Sequence, residues 1–103
     1  MNERLKVGDI VRHFKWNTLP DGDKRRNIYK YKILAFATHT ETKEKMVVYQ
    51  ALYSDSMMGI NFDIFVRPYD MFMSEVDKDK YPELYKVQKY RFEKWLTSVR
   101  TDK

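Results

Sequence analysis

The segment Lys45-Met46-Val47-Val48-Tyr49-Gln50-Ala51-Leu52-Tyr53 is apolar along nearly its whole length and rich in β-branched and aromatic residues. A run this short suits a strand covered on both faces better than a helix. Alternation places Tyr49, Ala51 and Tyr53 on one face, with Val48, Gln50 and Leu52 on the other. Gln50 is the exception in the run, because a primary amide is costly to bury unless something hydrogen-bonds it. A second apolar strand, Ile64-Phe65-Val66-Arg67-Pro68, delivers Arg67 to its rim just before a proline ends the ladder. Together the two strands describe a small, tightly filled β-domain with a few placed polar groups.

The rest of the chain supplies the other strands. Val7-Gly8-Asp9-Ile10-Val11-Arg12-His13-Phe14 is the expected first strand, with Ile10 and Phe14 on one face and Val11 and His13 on the other. Trp16 to Asn27 reads as a loop around Pro20-Asp21-Gly22-Asp23. Strand two is expected over Ile28–Thr38, and its core Ile33-Leu34-Ala35-Phe36-Ala37 suggests a sheet curling onto itself. His39-Thr40-Glu41-Thr42-Lys43-Glu44 joins it to strand three, Lys45–Leu52, as a hairpin. Ser54–Gly59 turns the chain into strand four, Ile60–Arg67. Beyond Pro68, Asp70 is expected to cap a helical turn over Met71–Val76. Glu83–Val99 fits a basic amphipathic helix or a closing strand, and the reading adopted is a turn near Pro82 and a strand around Lys89–Trp95.

The expected architecture is mainly β: a small, SH3-like, strongly bent antiparallel barrel of about five strands with a short helical turn after Pro68. A single domain is expected over residues 1–103, folded over 7–96, with flexible ends at 1–6 and 97–103. The 16% aromatic content provides enough ring surface for a real core and argues against disorder. The absence of cysteine removes disulfides, thiolate chemistry and Cys-based zinc sites. With no apolar leader or membrane-length run in the sequence, a cytoplasmic protein with no membrane partner is expected.

The net charge of +5 is uneven. Lys86, Lys89, Arg91, Lys94, Arg100 and Lys103 face only Glu93 and Asp102 near the C-terminal end, and Lys24-Arg25-Arg26 forms a second cluster. Such asymmetry suits either an anionic partner or a solvated surface.

Catalytic signals are weak. Gly8, Gly22 and Gly59 stand too far apart to cradle a phosphate, and Ser54, Ser56, Ser74 and Ser98 lie outside any nucleophile elbow. His13 and His39 with Glu41 or Asp55 lack metal-ligand spacing, so no metal and no cofactor are expected. Arg67 is suited either to fork onto a carboxylate or phosphate, or to pin its own turn through Asp70, Asp9 or a carbonyl. Tyr49 and Tyr53, flanking Ala51, either form a stacking platform or cover the sheet.

The blocks Val7-Gly8-Asp9-Ile10-Val11-Arg12-His13-Phe14-Lys15, Tyr31-Lys32-Ile33-Leu34, His39-Thr40-Glu41-Thr42, Val47-Val48-Tyr49-Gln50-Ala51-Leu52-Tyr53, Val66-Arg67-Pro68 with Met71-Phe72, and Arg91-Phe92-Glu93 resemble a family of short bacterial proteins, domain of unknown function 1653. The resemblance spans residues 7 to about 95 and implies a compact β-rich domain, with no activity, cofactor or catalytic residue attached. Its matching polar positions include His13, His39, Thr40, Glu41, Gln50, Arg67 and Arg91.

The function expected is therefore non-catalytic binding of a protein or an anionic ligand. The ligand candidates are His13, Tyr31, His39, Glu41, Tyr49, Gln50, Tyr53 and Arg67, with Tyr29 on the same rim. One alternative is nucleic-acid binding, with Lys24, Arg25, Arg26, Lys86, Lys89 and Arg91 on phosphates and tyrosines stacking on bases. Another is a protein-interaction module using a strand edge or Met57-Met58. A third is a small enzyme using His39, Glu41 and Arg67. Gln50 separates structure from function: an amide satisfied by backbone or Arg91 is a structural signature, whereas one facing a pocket beside Arg67 belongs to a site.

Overall fold

A computed structural model describes residues 4–95, and its spine is the hairpin of β2 (Lys30–Thr38) and β3 (Lys45–Ala51). β1 (Ile10–His13) pairs with β2, β6 (Ile64–Pro68) with β3, and β7 (Phe92–Lys94) with β1. All pairs are antiparallel, giving the order β6-β3-β2-β1-β7. A ribbon of β4 (Ser54–Asp55) and β5 (Ile60–Asn61) stands beside this sheet.

Side-chain distances reveal how strongly the sheet bends. In a flat sheet, three strand spacings would hold β3 and β7 roughly 14 Å apart. Yet the rings of Tyr49 on β3 and Phe92 on β7 have centroids 5.7 Å apart, and Arg67 on the far edge strand lies 5.6 Å from the Phe92 ring. A bulge at Leu34, where the register moves between Ile33 and Ala35, adds local twist. The mainly-β, antiparallel, five-stranded expectation stands. The curl stops short of closure, because β6 and β7 face each other across Phe92 without forming a ladder.

The concave face is filled by Val11, Tyr31, Ile33, Val47, Tyr49, Ala51 and Phe92. Phe72, from α2 (Tyr69–Met73), stacks on Phe92 at 4.0 Å and 4° and closes the core. Burying a ring of this size stabilises by about 1.5–3 kcal/mol. Tyr31 and Tyr53 keep their hydroxyls satisfied inside by bonding one another at 2.8 Å.

Several expected boundaries move, each for a local reason. Positive φ at Gly8 and at Asn27 and Tyr29 delays the starts of β1 and β2. The expected loop after β1 contains a 3₁₀ turn, Phe14–Thr18, and a short α1, Asp21–Lys24. The expected strand over Ile60–Arg67 breaks at Phe62, whose φ of 54° turns the chain between β5 and β6. α2 starts immediately after Pro68, so Asp70 lies within its first turn and does not cap it. Pro82 opens α3 (Pro82–Val87), where its missing N–H costs nothing, and β7 shrinks to three residues.

The expected flexible arm is docked from Arg4 onward: Leu5 is buried in the core, and the Arg4 guanidinium lies 3.9 Å from the Tyr90 ring centre. The stretch 97–103 lies outside the described residues. No helix among the described residues is long and apolar enough to cross a membrane.

Candidate functional site

β1 ends at His13, and alternation turns its imidazole inward with Val11. Rings enclose it: Phe14 at 4.6 Å, Phe92 at 5.0 Å and Tyr29 at 5.7 Å. Its Nδ1 accepts from the Lys15 backbone N–H at 3.2 Å, which assigns the ring proton to Nε2. Burial, then the positive charges of Arg67, Lys15 and Arg91, push its pKa down to about 3. At neutral pH His13 is an uncharged donor.

His13 opens onto a cleft of about 270 Å³. Phe14 and Lys15 come from the 3₁₀ turn, Asp77, Lys80 and Tyr81 from the turn before α3, and Arg91 from the residue before β7. Tyr81 meets Phe14 edge-to-face at 5.1 Å and supplies an apolar wall. Asp77 folds its own turn, with Oδ1 accepting from the backbone N–H groups of Asp79 and Lys80. Arg91 is pinned by its backbone, donating to the Ser74 carbonyl and accepting from the Phe14 N–H. Its guanidinium has no hydrogen-bond acceptor and no ion-pair partner among the described residues, although its Nε is buried.

Gln88 positions this wall. It is 1% exposed, and its Oε1 accepts from Arg12 Nε at 3.0 Å and Asn17 Nδ2 at 2.9 Å. Its Nε2 donates to the carbonyls of Arg12 and Tyr90. One amide thus ties β1, the 3₁₀ turn and the approach to β7 together.

The sequence candidates divide. His13 and Arg91 line the cleft. Arg67 lies on the Phe92 ring and against the Tyr49 hydroxyl, close enough to depress His13, and forms no ion pair with Asp70 or Asp9. Asp9 pairs instead with Lys94 at 3.7 Å. Tyr31, Tyr49 and Tyr53 are core residues, which corrects the stacking-platform reading: their rings are covered and burial raises their hydroxyl pKa values. Gln50 sits on the outer face and donates to the Phe62 carbonyl at 3.0 Å, so its amide is satisfied by backbone.

His39 lies exposed in the β2–β3 turn, its Nδ1 accepting from the backbone N–H groups of Glu41 and Thr42. His13 bonds beside Tyr29, at the opposite end of β2, which puts the two histidines roughly 30 Å apart. The same register leaves His39 and Arg67 roughly 14 Å apart. Among the described residues, no three His, Asp or Glu side chains gather into a metal site.

Of the nucleic-acid candidates, only Arg91 reaches the cleft. Arg26, Lys86 and Lys89 pair with Asp23, Glu83 and Glu75, Arg25 is exposed, and Lys24 turns onto Trp16. Lys15, Asp77, Lys80, Tyr81 and Gln88 were not candidates from sequence. The available signal was the Asp77-Lys78-Asp79-Lys80 turn, which reads as an ordinary polar connection.

Residues 9–94 match the model of a family described as protein of unknown function (DUF1653). Neither a curated protein nor a solved structure matches the chain.

Proposed function

The chain belongs to the DUF1653 family, and for this member we propose non-catalytic binding of an anionic group in the cleft between His13 and Arg91. The observation that carries this reading is uncompensated charge. Lys15, Lys80 and Arg91 line the cleft against one carboxylate, Asp77, and the Arg91 guanidinium has no acceptor among the described residues. A buried N–H left unbonded costs about 1–3 kcal/mol, and, separately, an oxyanion in the cleft offsets the positive charge of the guanidinium. Planar guanidinium donors match carboxylate and phosphate oxygens in pairs. Neutral His13 adds a donor without adding repulsion, and its pKa of about 3 favours that role over proton transfer at neutral pH. The Phe14–Tyr81 pair gives the ligand an apolar side to rest against. The setting that goes with this reading is a bacterial cytoplasm, with the bent sheet serving as a small SH3-like scaffold.

Calorimetric titration with inorganic phosphate and with citrate at low salt tests the reading. Saturable binding of at least one probe is expected, weakened about tenfold or more by Arg91→Gln or Lys80→Ala. No binding of either probe, or binding unchanged in both variants, overturns it.

A further inference from the structure

A second group of cations lies on the outer face of the sheet, on the other side of β1 from His13. In the β1–β2 ladder Arg12 stands directly opposite Lys30. Like charges in that position destabilise a sheet unless something compensates them. Both side chains turn onto a tryptophan pair, Trp16 from the 3₁₀ turn and Trp95 just past β7, whose rings meet edge-to-face at 5.3 Å. The Arg12 guanidinium lies 4.8 Å from the Trp16 ring centre, Lys24 Nζ 4.9 Å and Lys30 Nζ 6.0 Å. Lys30 is also 3.7 Å from the centre of the Trp95 ring.

The ring faces attract each cation but do nothing for the repulsion among them. Lys30 is only 8% exposed, and burial followed by the charge of Arg12 lowers its pKa. The acidic neighbours are otherwise engaged. Glu93 faces Arg12 from β7, but its Oε2 accepts from the backbone N–H groups of Lys89 and Tyr90. Asp23 pairs with Arg26. No carboxylate among the described residues forms an ion pair with Arg12, Lys24 or Lys30. The buried Trp16 indole N–H likewise has no acceptor among the described residues. Gln88 accepts from Arg12 Nε, and the terminal nitrogens of Arg12 make no hydrogen bond to a described residue.

We propose that Arg12, Lys24 and Lys30, gathered on the Trp16–Trp95 pair, form a site for a phosphate group distinct from the His13 cleft. Three donors of one sign around an apolar platform suit a tetrahedral oxyanion attached to a ring or a sugar. The phosphate belongs either to a small phosphoester or to a nucleic-acid backbone, and the same titration separates the two.

The chain has two tryptophans, and both are in this site, whereas the cleft is lined by Tyr81, so tryptophan emission excited at the red edge, where tyrosine does not absorb, is the signal followed. The full chain is titrated with inorganic pyrophosphate and, separately, with a mixed-sequence single-stranded DNA oligonucleotide. A saturable change in emission is expected with at least one probe, weakening as salt rises. Lys24→Glu shifts the midpoint about tenfold or more, while Lys24→Arg retains it. A response to pyrophosphate at comparable phosphate concentration assigns a small phosphoester, and a far tighter response to the oligonucleotide assigns a backbone phosphate. No emission change with either probe, or an equal midpoint in Lys24→Glu, overturns the proposal.

Discussion

The two histidines stand at opposite ends of β2 and are put to opposite uses. His39 sits in a solvent-exposed turn, where its Nδ1 organises the backbone of the next three residues. His13 also accepts a backbone N–H through Nδ1, but three rings enclose it and three cations press on it. The local hydrogen bond is nearly the same in both places. What differs is the convergence of distant chain: the turn before α3 and the residue before β7 reach His13, while the β2–β3 turn of His39 stays exposed. Chemical potential in this fold thus lies where elements far apart in sequence meet, and a polar strand end alone does not supply it.

Removing the wall that encloses His13 has the largest expected effect. Phe92→Ala deletes the ring that stacks on Phe72, meets His13 and carries Arg67. Denaturant unfolding should show a loss of about 3–5 kcal/mol, and any folded remainder should show the His13 pKa moving back toward that of a free imidazole. Acid gives the next largest effect. Because the folded pKa of His13 is about 3, below its ordinary 6.5, the unfolded chain binds the proton more readily between those values. Stability from this group is present above about 6.5 and falls as the pH drops toward 3. Between neutrality and pH ~4 the wild type should lose about 3 kcal/mol more than His13→Gln, measured by urea unfolding at each pH. His39→Gln should leave that difference in place.

Gln88→Leu removes the support behind the cleft wall. It leaves the Arg12 and Tyr90 carbonyls and the Asn17 amide short of a partner, at a cost of about 1–3 kcal/mol. Anion binding should weaken along with stability, since the same amide holds the approach to Arg91. His39→Ala is the smallest perturbation. It removes an exposed acceptor from a turn and should cost less than about 1 kcal/mol by thermal unfolding, with phosphate and citrate titrations unchanged.

The strands of the central hairpin were legible because burial obeys alternation there: Val47, Tyr49 and Ala51 are inside, while Met46, Val48 and Gln50 are more open. The break at Phe62 was not legible. No glycine or proline marks it, and it is held by long-range bonds from the Phe62 N–H to the Tyr53 carbonyl and from the Gln50 amide to the Phe62 carbonyl. The tyrosines misled for a related reason. A half-polar ring suits a rim or a core equally, and it takes the β2–β3 register, which sets Tyr31 against Ala51, to bring the Tyr31 and Tyr53 hydroxyls to 2.8 Å of each other. In the cleft, His13 stood out near the end of the first apolar strand and Arg91 as part of the C-terminal basic cluster, and both are polar positions of the family resemblance. Lys15, Lys80 and Tyr81 lie in segments with no periodicity, and nothing local distinguishes them from solvated turns. Gln88 was hidden by an ambiguous stretch in which helix and strand patterns overlap, since α3 and β7 both occur there.

On this reading the His13 end of β2 receives an anion and the His39 end does not. Both ends are visible in one experiment, a ¹H–¹⁵N NMR titration of the labelled protein with inorganic phosphate and citrate at low salt. Saturable shifts are expected at His13, Lys15, Lys80 and Arg91, with the His39–Glu41 amides unmoved. Shifts of equal size at both ends, or none at His13 and Arg91 with either anion, would contradict it.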